Sequence, residues 1–420
     1  MADDNTPPKP EASAAVPFML QLTPMNPPYR EDPYAVLADL RARCPAMKDE
    51  GYGSVILTRY NDVRSIVSDL TMWRDPFKGD EAVLQRQLAG LEIPEGPRSE
   101  NTSILTLDDP DHARIRQPLA QALYARVAKF RPEVERIVSE TLDVIDASGP
   151  FDLMTSFCVP IPIDVIASIL GVEHSRLAEF RAWSEGIIQS LNPFRNEEQT
   201  KGMDAAREAL DGYFTRLIAE RKAEARDDLI RDMTRLQAEG LAVSDGELRI
   251  NLQALLIGGN LTTTDLIGNA VRLLLRNPAE LAKLKADPAL INAVVEEALR
   301  YEPPVDATGR VASRGMEISG CPVKQKEFLS LFLRAANRDP DVFDNPDAFD
   351  VTRAKKPHVA FGGGAHICIG APLARLEAQV ALLRLFERFP NLRLADPDAA
   401  PAWRTLPFFR GLERLELRAD

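Results

Sequence analysis

Near the end of the chain, Phe361-Gly-Gly-Gly-Ala-His-Ile-Cys-Ile-Gly370 sets one cysteine in a glycine-rich turn, and Ala-Pro-Leu-Ala-Arg-Leu-Glu follows. Glycines accept φ > 0 without steric cost, so the stretch can bend tightly. Pro372 stands where a first-turn proline is tolerated, and Leu373, Leu376, Val380 and Leu383 repeat at helical spacing. A thiolate at Cys368 would therefore meet backbone N–H groups of the turn and the positive end of a helix, both of which favour its charge. A phosphate loop would need Gly-Lys-Ser/Thr at its end, and Ile-Cys-Ile-Gly does not supply it. A zinc site would need further ligands, and only His366 is near. What remains is the way a protein holds a single anionic sulfur as axial ligand to haem iron.

Three other groupings have types and spacing that could do chemistry. Glu297 and Arg300 lie three residues apart on one helix face, as a surface ion pair or as part of a structural network. His112 and Arg116 lie one turn apart, either on a solvated face or as two donors to one anionic group such as a haem propionate. Arg310, after Gly309, and His366 are further candidate donors. Gly258-Gly-Asn-Leu-Thr-Thr-Thr-Asp265 interrupts a Leu/Ile-rich helix. Each glycine costs that helix about 1 kcal/mol relative to alanine. Threonine hydroxyls there can bond back to the i−4 carbonyl and bend it. The segment is therefore either a close helix crossing or a groove over a metal, lined by a hydroxyl that relays protons.

The elements that must position these residues are mostly helical. Apolar periodicity predicts helices at 32–43, 111–123, 130–147, 163–170, 176–191 and 205–225. It predicts two more at 246–276, behind the capping box Ser244-Asp-Gly-Glu247, and at 288–301, which stops before Pro303-Pro304. Short strands are expected at 54–57, 309–313, 328–332 and 412–417. The chain of 420 residues is 45% apolar and shows no internal linker, so one catalytic domain over 17–420 is expected behind a disordered tail at 1–16. The four cysteines are scattered and fit a reducing compartment. A net charge of −12 argues against nucleic acid or an anionic membrane as partner. With no signal core and no apolar run of about 18 residues, a cytoplasmic protein without a membrane anchor is expected.

Taken in order, these pieces resemble the cytochrome P-450 superfamily of haem-thiolate monooxygenases, in its soluble bacterial class. The likeness runs from about Pro33 to the C-terminus. The cysteine turn matches F-G-x-G-x-H-x-C-x-G at every fixed position. The resemblance implies a mainly α fold with small β-sheets, with haem b between a long central helix and the helix of the cysteine ligand. Cys368 would be the proximal iron ligand, and His112, Arg116, Arg310 and His366 would bind the propionates. Glu297 and Arg300 would form the structural E-x-x-R pair, closed by Arg338 or Arg353. In the oxygen-activation pattern A/G-G-x-acid-T, Gly258, Gly259 and Thr262 match, but Leu261 occupies the acidic slot. Asn260, Asp265 or a water chain through Thr263 would have to replace that acid.

The implied reaction inserts one oxygen atom of dioxygen into a hydrophobic small molecule, with electrons from a ferredoxin and ferredoxin reductase. A peroxide-driven peroxygenase or a non-catalytic haem-binding protein are the alternatives, and a monomer is expected. By family position, Leu255, Leu256, Gly258, the Val305–Thr308 segment and the Phe408–Phe409 turn should line the substrate pocket. Trp73, Phe77 and residues up to about Ser103 should roof it. Asp306 and Arg410 either orient the substrate or are exposed. Arg114, Arg126, Lys129 and Arg131 form a local basic cluster that could face an acidic ferredoxin.

Overall fold

The computed structural model describes residues 19–87, 98–192, 195–354 and 356–419. The segment expected as a tail lies outside them, as does part of the expected roof. The periodic segments are helices: Pro33–Arg43, Asp111–Val127, Arg131–Asp143, Pro160–Leu170, Leu177–Ile188, Glu197–Ala223, Asp245–Arg276, Ile291–Tyr301 and Ala371–Arg388. Two begin earlier than their apolar periodicity suggests. Pro160 and Pro162 fall in a first turn, where the missing N–H costs no helical bond. Asn196 and Gln199 form a capping box ahead of the first buried residue of their helix. The capping box of Ser244 and Glu247 also forms, and from it the long helix Asp245–Arg276 runs without a break through Gly258 and Gly259.

The short strands assemble by long-range pairing. One sheet has the order Ala46–Asp49, Ser54–Leu57, Phe328–Phe332, Ala307–Val311. Its two central strands run parallel, with Ser54 opposite Phe328, and Gly309 lies antiparallel opposite Ser330. Both central strands are buried throughout, as expected for strands covered on both faces. The expected strand at 412–417 splits. Leu412–Arg414 pairs with Ala402–Trp403, whereas Glu416–Arg418 pairs with Phe151–Asp152 and Arg393–Leu394.

A charged cluster lies inside the protein beside this sheet. The Arg334 guanidinium donates to Asp306 at 2.5 Å, to the Pro303 carbonyl at 2.6 Å and to Glu302. Arg410 donates to Glu302 at 2.9 Å, and the Tyr34 hydroxyl does so at 2.7 Å. Asp306 and Arg410 are therefore neither exposed nor turned to a substrate; each is an interior ion-pair partner. Burial raises the Glu302 pKa, but Arg410 and Arg334 pull harder and hold it at about 2. A depressed carboxylate stabilises the fold above its unfolded pKa. Urea unfolding is thus expected to show stability lost as pH falls from about 4.5 toward 2. Arg334→Leu, which strands two buried carboxylates, should cost about 3–5 kcal/mol at neutral pH.

Candidate functional site around Cys368

The cysteine turn is shaped by a close approach. Gly362 and Gly364 have φ of 68° and 63°, the left-handed region. A Cβ on Gly364 would lie 2.6 Å from the Val67 carbonyl oxygen, and one on Gly363 would lie 2.9 Å from the Val67 side chain. The turn therefore packs directly on the end of the Tyr60–Ser68 helix, which periodicity did not suggest. The Cys368 N–H donates to the Phe361 carbonyl at 3.0 Å and closes the turn. The sulfur looks into a cavity, with Gly370 and Ala371 at the start of the Ala371–Arg388 helix beneath it. Burial pushes the thiol pKa up, while the backbone N–H groups of Gly370 and Ala371 and the charge of Arg116 favour the thiolate.

The cavity is lined from the long helix by Leu255, Gly258, Gly259, Thr262, Thr263 and Leu266, and from elsewhere by Val305, Thr308, Arg116, Arg310 and His366. A Cβ at Gly258 or Gly259 would meet nothing within 4 Å. Among the described residues nothing fills that space, so the paired glycines leave a groove. The Thr262 hydroxyl donates to the Gly258 carbonyl at 2.7 Å. Leu256 and Phe408, both expected on the wall, are not on it. Leu256 is fully buried in the helical core instead. Phe408, at φ 64°, packs against the cluster that contains Met19, Leu22 and Tyr29. Trp73 and Phe77 pack with Leu84, Val311 and Phe328 rather than over the cavity.

At one end of the cavity the charges are of one sign. Arg116 donates to the Ile367 carbonyl, and Arg310 donates to those of Gly309 at 2.8 Å and Val67 at 3.4 Å. The His112 and His366 rings lie with centroids 4.1 Å apart, and His112 Nε2 is buried without a partner. Arg74, which the sequence did not single out, joins them. Burial and the neighbouring Arg74 hold Arg310 down to about 9. Burial and four cationic neighbours hold His366 down to about 2. A cluster that repels its own protons lacks an anion. Two carboxylates of a tetrapyrrole would meet that need, next to a sulfur ligand and an apolar wall, so these residues fit a haem.

Other expected partners are sorted by the fold. Arg300 makes a bidentate pair with Glu297 at 2.8 Å and donates to the Asn337, Pro346 and Ala348 carbonyls. The closing arginine is Arg353, at 3.1 Å from Glu297. Arg338 instead stacks between Tyr34 and Tyr301. Leu261 and Asn260 are buried off the cavity, and Asp265 is fully buried in a pair with Arg404 at 2.8 Å. The acid that does line the cavity is Glu377, on the cysteine helix and without a sequence motif; its Oε2 has no partner among the described residues, and burial pushes its pKa well up. The basic cluster is largely neutralised, since Arg114 pairs with Asp111 and Glu247, Arg126 with Asp227 and Asp232, and Arg131 with Glu135.

The glycines of the two segments should respond oppositely to substitution. Gly364→Ala is expected to lower stability by about 2 kcal/mol or more, from left-handed strain plus a backbone clash. Gly259→Ala should raise it by up to about 1 kcal/mol, because nothing obstructs the methyl in mid-helix. Urea denaturation of both variants checks this.

Comparison with known proteins agrees with the geometry. The cytochrome P-450 family model matches residues 93–398. Cytochrome P-450 107B1 of Saccharopolyspora erythraea is 39% identical over 371 residues, covering 88% of this chain and 90% of that protein. The 6-deoxyerythronolide B hydroxylase of the same organism is 36% identical, covering 93% and 97%. Among solved structures, the Bacillus subtilis bacillaene polyketide synthase cytochrome PksS superposes with a TM-score of 0.84 at 30% identity, over 94% of this chain and 99% of that one. A thiol at a helix start, a glycine-opened helix with a threonine, and unmatched cations around one cavity thus meet in a chain that belongs to the cytochrome P-450 family of haem-dependent oxygenases.

Proposed function

We propose that this enzyme is a monooxygenase that holds haem b through Cys368 and hydroxylates a hydrophobic small molecule, with electrons from a ferredoxin and its reductase. It works as a cytoplasmic monomer whose catalytic unit is a single domain. The observation that carries this reading is the meeting of the Cys368 sulfur and the Thr262 hydroxyl on one largely apolar cavity whose cations lack a counter-anion. When bound, the haem supplies dioxygen activation. Arg116, Arg310 and His366 line the cavity and would hold its carboxylates, with His112 off the lining and packed on His366, and Leu255, Gly258 and Val305 would give the substrate an apolar wall.

The chain's own task is to exclude water and deliver protons. The Thr262 hydrogen is engaged by the Gly258 carbonyl, so the hydroxyl turns an acceptor lone pair toward the cavity. To donate, it must release that carbonyl. Asp265 is held by Arg404 and cannot easily take the place of the acid missing at Leu261. Glu377 belongs to the cysteine helix, so a haem held by Cys368 would stand between it and Thr262, and no carboxyl among the described residues lines the Thr262 side of the cavity. The missing acid also favours a second reading, a peroxygenase, which would turn over with hydrogen peroxide and no reductase.

Because the basic cluster is internally paired, charge reversal at Arg114 or Arg126 should upset folding before it changes electron transfer. Substrate class is best approached by spectral titration. Relatives include a 6-deoxyerythronolide B hydroxylase and a vitamin D(3) 25-hydroxylase, so 6-deoxyerythronolide B and vitamin D(3) belong in the panel. In the reductase-coupled assay, Thr262→Ala should lower product formed per NAD(P)H consumed by about tenfold. Unchanged coupling would remove Thr262 from the mechanism.

A further inference from the structure

Arg74 lies between three parts of the chain, which the Trp73–Val311 bridge and the Lys78–Asp108 pair also draw together. Its backbone N–H donates to Asp108 at 2.7 Å. Its Nε donates to the Leu105 carbonyl at 2.9 Å, and Nη1 donates to the Gly309 carbonyl at 2.6 Å. Leu105 and Ile104 line the cavity from the segment ahead of the His112 helix, and Gly309 belongs to the strand that carries Arg310. The side chain thus bridges the cavity's outer wall and its charged end. Its Nη2 has no hydrogen-bond partner among the described residues, and the side chain lines the cavity.

The charge balance says what that free nitrogen is for. Arg74, Arg116 and Arg310 all line the cavity, and among the described residues none of their guanidinium groups hydrogen-bonds to a carboxylate. Asp108 is near, but its oxygens are occupied by the N–H groups of Arg74 and Asp75 and by Lys78 at 2.9 Å. Arg74 is half-buried, where an anion that completes its guanidinium gains more than it would in open water. The two carbonyl bonds fix the planar fork, so little side-chain entropy remains to be lost when an anion arrives.

We propose that Arg74 is a latch: its free nitrogen takes a carboxylate of the haem while its other nitrogens hold Leu105 and Gly309, so that loading the cofactor fastens the outer wall of the substrate cavity. It is a positioning residue and takes no part in oxygen chemistry. Leu105 is 46% exposed and stands between anchored neighbours: Ile104 and Leu107 are buried in the core, the Ile104 N–H donates to Asn251 at 2.9 Å, and Asp108 is held by Arg74, Asp75 and Lys78. The bond to the Leu105 carbonyl therefore bears on the exposed middle of the segment.

The proposal rests on the haem reading, and the test separates the two. Full-length protein, Arg74→Leu and Arg74→Lys are compared, haem-loaded and haem-free. Haem loss is followed by transfer to excess apomyoglobin, and amide hydrogen exchange is followed across residues 103–108. In the parent, loading should protect 103–108. Arg74→Leu should lose haem about tenfold faster, the scale of one charge-assisted hydrogen bond, and loading should no longer protect the segment. Arg74→Lys keeps a charge but not the fork. It should retain haem to within about threefold of the parent and still fail to protect 103–108. Parent-like haem loss in Arg74→Leu, or equal protection in both variants and parent, overturns the latch. A parent that takes up no haem would instead overturn the haem reading itself.

Discussion

Glu297 carries a buried negative charge that has to be matched, and much of the structure is arranged by how it is matched. Its carboxylate accepts two bonds from Arg300, one from Arg353 and one from the Asp350 N–H. Arg300 and Arg353 then spend their remaining donors on carbonyls between Asn337 and Ala348. That stretch is dense in Asp, Asn and Pro and has no helix or strand to satisfy its backbone, so the guanidinium groups do so. The loop leads straight into the cysteine turn. Fixing it against the Ile291–Tyr301 helix fixes where Cys368 can be, and the turn's contact with Val67 and Ser68 sets the rest.

The second constraint is electrostatic. Burying several cations around one cavity is unfavourable for the protein alone, as the lowered pKa values of Arg310 and His366 record. Such a site is held in readiness for anions, and binding relieves the repulsion. Stability and cofactor affinity are thereby linked: the protein gives up stability in the empty state and recovers it on loading. The neutral Glu377 on the same wall is compatible with this arrangement, because it adds no charge of its own while unionised.

Local signals were read well where the chemistry is local. The cysteine turn, the capping box of Ser244 and Glu247, the stop before Pro303 and the threonine beside paired glycines depend on residues a few positions apart. Assignments that needed distant partners went astray. Asp306 and Arg410 look like pocket residues until Arg334 and Glu302 arrive from elsewhere. Arg114 and Arg126 look like a free basic face until acids about a hundred residues later neutralise them. Leu256 and Phe408 were placed by analogy, and they pack in the apolar clusters instead. Arg74 and Glu377 carried no motif, and only their shared cavity makes them conspicuous.

By itself, then, the sequence determined the cysteine turn, most of the long helices and the family, because each follows from backbone preference and short-range spacing, whereas it left the Gly258 segment open between a helix crossing and a groove. Tertiary structure decided which arginine closes on Glu297, which acid reaches the cavity and which cations go unpaired. Those are questions of long-range charge pairing in a low-dielectric interior. Pairing energies there exceed any local preference, and chain order carries little information about who will meet whom.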